Sequence, residues 1–143
     1  MTYNQIVTDI QAKLESHPMI KTVKFGTPIE WINRDEQPVF PLACFQIDSG
    51  NMNKGRELIY VIQFWFIDKS GQEAEFETEV ISDQHSIALD IVNKLRSESM
   101  DYTIDNSVTW NAISEKYEDY LSGVTLTINL STISKYDACN FPV

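Results

Sequence analysis

The stretch Arg56 to Asp68, RELIYVIQFWFID, constrains this chain more than any other. A β-strand sends alternate side chains to opposite faces of its sheet. One face of this segment carries Leu58, Tyr60, Ile62, Phe64 and Phe66, and the other carries Ile59, Val61, Trp65 and Ile67. Gln63 is the only polar break on the second face. A strand in an antiparallel sheet commonly keeps one face wet, so two apolar faces predict cover on both sides. The chain itself must supply two covering layers, or a second molecule must supply one.

The remaining segments predict two amphipathic helices. Tyr3, Ile6, Val7, Ile10 and Leu14 fall on one helical stripe, with Thr2 as N-cap and His17-Pro18 as the stop. From Val80, the apolar positions Ile81, Ile87, Ala88, Ile91, Val92 and Leu95 describe a second stripe. Its acidic beginning, Glu73, Glu75, Glu77 and Glu79, and its basic end, Lys94 and Arg96, both match the helix dipole.

Between and after these helices the chain reads as strands. Ile20 to Phe25 is a short strand closed by Gly26, and Phe40 to Asp48 is another, with Pro41 at an edge or bulge. Pro28 to Pro38, containing IEWINRDEQ, reads as a long polar loop around Trp31, and SGNMNKG as the turn of a hairpin. Val108 to Tyr117 and Val124 to Ser134 form a closing hairpin. The second of these alternates cleanly, with Val124, Leu126, Ile128 and Leu130 on one side. The order helix, strand, hairpin, helix, hairpin predicts one α+β domain over residues 1–143, an antiparallel sheet with both helices packed on one face. The second sheet face then holds Ile59, Val61, Trp65 and Ile67 without a helix to cover them. A hairpin curling over that face is the intramolecular solution. Association is the other, because apolar patches above a few hundred Å2 mark contact sites.

Charge narrows the function. With 21 acidic against 11 basic residues the net charge is -10, the wrong sign for holding nucleic acid through its phosphates. The N-terminal MTYNQIVTDIQAKL lacks the basic start and apolar block of a secretory signal, and no run approaches a membrane span. Both features lead to the expectation of a protein made in the cytoplasm, with no membrane role. Cys44 sits in an apolar run and Cys139 near the end, with no metal-ligand spacing between them.

No catalytic constellation stands out, so the chain is expected not to be an enzyme and to use no cofactor or metal. His17 lies at a helix end, where a capping or surface role suits it. His85 falls beside Asp83 and Gln84 on what reads as a solvated helix face. Ser82 and Ser86 point away from His85 on a helix and build no triad with it. Trp31, Trp65 and Trp110 lack the surrounding basic residues that base stacking uses.

In element order the chain resembles the tail terminator and tail-completion family of lambda-type bacteriophages. The resemblance rests on the N-terminal amphipathic helix, the VFPLACFQI strand and the long strand ending IQFWFIDKSG. The acidic-started helix and two closing strands, with Gly123-Val124, complete it. It is similar also to the small neck ring proteins of crAss-like phages. The resemblance implies a structural virion protein: a homo-oligomeric ring, hexamer or dodecamer, at the head–tail junction around the DNA channel. Such a ring docks against portal or connector and tail proteins, is assembled in the host cytoplasm, and lets DNA pass without specific binding. It would place Ile59, Val61, Trp65 and Ile67 between subunits. Trp31, Arg34, Asn51 and Asn53 would fall in loops touching neighbouring rings. The alternative is a small dimeric α+β ligand-binding or regulatory module using the same strand.

Overall fold

Thr2 opens the first helix as expected: its hydroxyl accepts from the Gln5 N–H, and the Gln5 side chain accepts from the Thr2 N–H, a reciprocal cap. The computed structural model describes residues 2–32, 38–70, 74–98, 101–114 and 121–133. Within them the elements are α1 (Tyr3–Glu15), β1 (Thr22–Phe25), α2 (Ile29–Ile32), β2 (Leu42–Met52), β3 (Glu57–Lys69), α3 (Ala74–Glu98), β4 (Thr103–Ile104), β5 (Thr109–Ile113) and β6 (Leu121–Ile133).

The class is α+β, built on a mixed six-stranded sheet. Its order is β1-β2-β3-β6-β4, with β5 joining the same side of β6 as β4. The expectation of a wholly antiparallel sheet is corrected at one pair, since β1 runs parallel to β2 from Thr22↔Leu42 to Phe25↔Phe45. The reason lies in the connection: the chain leaves β1 at Gly26 and passes through α2 before entering β2, so it returns in the same direction. All other strand pairs are antiparallel.

One core forms where α1 and α3 meet the sheet. Ile6, Ile10 and Leu14 of α1 cluster with Ile87, Ile91 and Leu95 of α3, and with Ile62, Phe64 and Phe66 of β3. Phe64 sits between two parallel-stacked rings, 6.1 Å from Phe45 and 6.0 Å from Phe66. Val124, Leu126, Ile128 and Leu130 of β6 enter the same cluster, as their alternation predicted.

Polar ties lock the helices over this core. The Lys94 ammonium donates to Ser16 Oγ at 2.6 Å, and His17 Nε2 lies 3.0 Å from Asp90 Oδ2. Tyr102 donates its hydroxyl to Asp9, which also receives Lys13 one turn along α1.

Two local expectations are revised. The polar loop after Pro28 contains a single helical turn, α2, whose Ile32 is buried. The SGNMNKG turn is shorter than expected: β2 runs on through Asn51 to Met52, and only 53–56 turn the chain. Gly55 and Arg56 take positive φ there, 89° and 69°, which glycine adopts without steric cost. The acidic start of α3 is as expected, with Glu75, Glu77 and Glu79 inside a helix that begins at Ala74.

Candidate functional site

The candidate site is the sheet face turned away from α1 and α3. Register brings its residues into rows across the strands. At one end Leu42, Ile67, Gly123 and Ile113 stand side by side, followed by Cys44, Trp65, Thr125 and Asn111. The next row is Gln46, Gln63, Thr127 and Thr109. Beyond a bulge between Ile47 and Ser49 come Ser49, Val61 and Asn129, then Asn51, Ile59, Ser131 and Thr103.

The expectation that this face lacks intramolecular cover is corrected at its first end. Ile67 is 0% exposed, packed in a second cluster with Ile32, Leu42, Cys44, Ile113 and Leu121. Trp31, Phe40 and Trp65 pack against that cluster. Burial inside the protomer removes Ile67 from any contact between copies. The cover comes from α2: Pro28 lets the turn start, accepting from the N–H groups of Trp31 and Ile32, and Ile32 drops onto the sheet. Lysines flank this lid, with the Lys24 ammonium 4.8 Å from the Trp31 ring centre and that of Lys69 5.5 Å from the Phe40 ring.

Trp65, Val61 and Ile59 are half-buried, neither core nor fully open. Val61 and Ile59 have hydroxyls and amides on both sides, while Trp65 stands between the Cys44 thiol and the Thr125 hydroxyl. The face beyond Trp65 is thus a flat field of Thr, Ser, Asn and Gln with two aliphatic islands, not the continuous apolar patch expected. None of the residues that β2, β3, β5 and β6 contribute to these rows carries a charge, although 22% of the chain is charged; the one charged neighbour in register is Lys24 of β1, beside Cys44 at the lid end. Acidic groups stand at its margin, such as Asp48 beside the bulge and Glu57 at the strand start. Neither property was readable before the register was known.

Gly123 is required here by close approach. A β-carbon at that position would collide with the Phe66 carbonyl oxygen, so glycine lets β3 and β6 keep their spacing under the lid. The Cys44 thiol under the same lid is pushed up to about 12, chiefly by burial. It is an inert core group rather than a nucleophile.

The other singled-out residues are scattered. Trp31 is part of the lid rather than an open loop contact, Asn51 lies in β2 on the outer face, and Asn53 sits at the exposed hairpin turn. Arg34 falls outside the described residues, as do Glu73 and Cys139. His85 does not face solvent alone: its ring packs against Trp110 at 4.5 Å, tilted by 55°. His17 accepts from the Met19 N–H through Nδ1 while Nε2 meets Asp90, a structural knot between α1 and α3. The two histidines therefore engage different partners.

Asp68, at the end of β3, has its carboxyl raised above the usual 3.8, first by burial and then by the Asp83 charge, against an opposing Lys69 N–H. Among the described residues no His, Cys, Asp and Glu group is arranged to hold a metal ion. Among them also, no helix is long and apolar enough to cross a membrane. No protein-family model matches the chain, and no curated protein matches it in sequence.

Proposed function

We propose that this is a self-assembling structural protein whose outer sheet face meets another copy. In its fullest form the reading is a virion ring at the head–tail junction of a bacteriophage, acting as tail terminator or neck adaptor around the DNA channel. The supporting observation is the uncharged field on β2, β3, β6 and β5. Two copies each carrying -10 repel wherever acidic groups face one another. They approach most cheaply where a broad surface has no charge and keeps half-buried Trp65, Val61 and Ile59 ready to lose water.

The virion role rests on the resemblance in element order. It also suits the acidic surface, which would leave passing DNA phosphates unbound. The mechanism is mechanical: subunits close into a ring by a heterologous contact, and exposed turns such as that at Asn53 dock onto portal, connector or tail proteins.

Negative-stain electron microscopy of the purified protein, alone and with the neighbouring gene products, tests this reading. Rings with a central channel are expected, and Val61→Lys should abolish them while leaving the circular dichroism spectrum unchanged. A chain that stays monomeric with every such partner would overturn it.

A further inference from the structure

The two edges of the sheet are built differently. On one side β1 is short, carries Lys24 and ends where Gly26 turns away, and β2 beyond it is broken by a bulge beside Asp48. Short strands, lysines and bulges are the devices that stop a sheet edge from accepting another strand. The opposite edge is shared by the two-residue β4 and by β5, and β5, one residue longer than β1, carries neither a lysine nor a bulge. Its sequence TWNAI holds no charge and no proline, it pairs with β6 without a register shift, and among the described residues β6 is its one partner.

This edge is also exposed and held firmly. Thr109, Asn111 and Ala112 are exposed, and Trp110 is 48% exposed while resting on His85. The loop leading into β5 is anchored where it leaves β4, at Asp105 and Asn106. Arg96 donates to the carbonyls of Asp105 and Asn106 at 2.7 and 3.0 Å, and Asp105 exchanges backbone and side-chain bonds with Asn129. A strand fixed this way has little ordering cost left when it pairs.

We propose that β5 is a second self-contact, in which two copies pair their β5 strands antiparallel about a twofold axis at Asn111. Asn111 is the middle residue of the strand, so this register faces Asn111 with Asn111, and Thr109 with Ile113 of the other copy. It also sets each Trp110 opposite the other copy's Ala112. Trp110 and Ala112 share the helix side of the sheet with Leu126 and Val124, so each large indole covers a small methyl. A strand without charge lets two acidic molecules touch, and a twofold contact closes on itself instead of growing into a filament. The contact runs along the strand edge rather than over the outer face, although Asn111 and Thr109 also stand in that face's rows: with both contacts, rings pair back to back, and with β5 alone the product is a dimer of twice 16.4 kDa.

Hydrogen exchange at several protein concentrations, with sedimentation velocity on the same samples, tests it. The outward amides of β5 are expected to become protected as concentration rises. Trp110→Lys and Asn111→Asp should each raise the dimerisation midpoint about tenfold or more, by edge charge and by like charges meeting at the axis. Mixing Asn111→Asp with Asn111→Lys should restore dimers, because opposite charges then face each other. If Trp110→Lys fails to fold, the Asn111 pair carries the test. Protection of β5 that ignores concentration, or its absence at every concentration, would overturn the proposal, as would masses unmoved by the Asn111 exchange. Val61→Lys on the outer face should leave β5 protection intact, so failure of the face contact and failure of the edge contact read out separately.

Discussion

Phe64→Ala and Val61→Thr, substitutions three residues apart on one strand, should differ greatly in cost. Phe64 is 0% exposed and its ring lies between those of Phe45 and Phe66. An aromatic side chain buries about 150–250 Å2. At about 25 cal/mol per Å2 that is ~4–6 kcal/mol, lowered by roughly 10–40% because the unfolded chain is itself partly compact. The result agrees with the ~3–5 kcal/mol typical of Phe→Ala in a core. Against a total stability of about 5–15 kcal/mol, this is enough to bring the protein near its unfolding midpoint. For a chain of this size the melting temperature should fall by about 10–17 °C.

Val61 is half-buried between Ser49 and Asn129, where threonine has nearly the same shape and its hydroxyl finds polar neighbours. Its substitution should cost under about 1 kcal/mol, as for a partly exposed site. Urea denaturation followed by tryptophan fluorescence measures both. Equal losses in the two variants, or a larger loss for Val61→Thr, would refute the assignment of core and outer faces on β3.

Other consequences follow from the lid and the strand end. In a Cys139→Ser background, Cys44 should resist thiol reagents at neutral pH until the protein unfolds. The stability its neutral thiol contributes should be full below the ordinary value of 9.0 and drain away as pH climbs towards about 12, visible in pH-dependent melting. Asp68→Asn should stabilise the protein at neutral pH, since the raised carboxyl value means the folded state disfavours the charge; the gain should vanish below 3.8, where the wild-type side chain is protonated in both states. Gly123→Ala should cost about 1–3 kcal/mol in chemical denaturation by forcing β6 off the Phe66 carbonyl.

What could be read from sequence followed periodicity. Ile6, Ile10 and Leu14 announced α1 and its buried stripe, and the alternation of Val124 to Leu130 announced which side of β6 meets the core. Long regular elements carry their own geometry. What escaped depends on pairing. RELIYVIQFWFID read as apolar on both faces because the strand was taken alone; once Thr125, Thr127 and Asn129 stand beside it on one side and Gln46 and Asn51 on the other, the outer face is polar. Ile67 was assigned to a subunit contact because the single turn at IEWI, too short for a helical period, hid the lid that covers it. The two-residue β4 and the parallel β1 likewise have no signature, since each is defined by a distant partner strand. Polar neighbours weaken the apolar case for association and replace it with an electrostatic one: a broad neutral field on an acidic protein.

Sedimentation velocity of Gln63→Glu beside Ser86→Glu tests that electrostatic claim most directly. Both add one negative charge to the same chain, the first at the centre of the outer face and the second at an exposed position on α3. The wild-type protein and Ser86→Glu should sediment as the same assembly, while Gln63→Glu should fall to a smaller species and partly recover in high salt, where the added charge is screened. Identical masses for the two variants at every salt concentration would contradict self-assembly through this face.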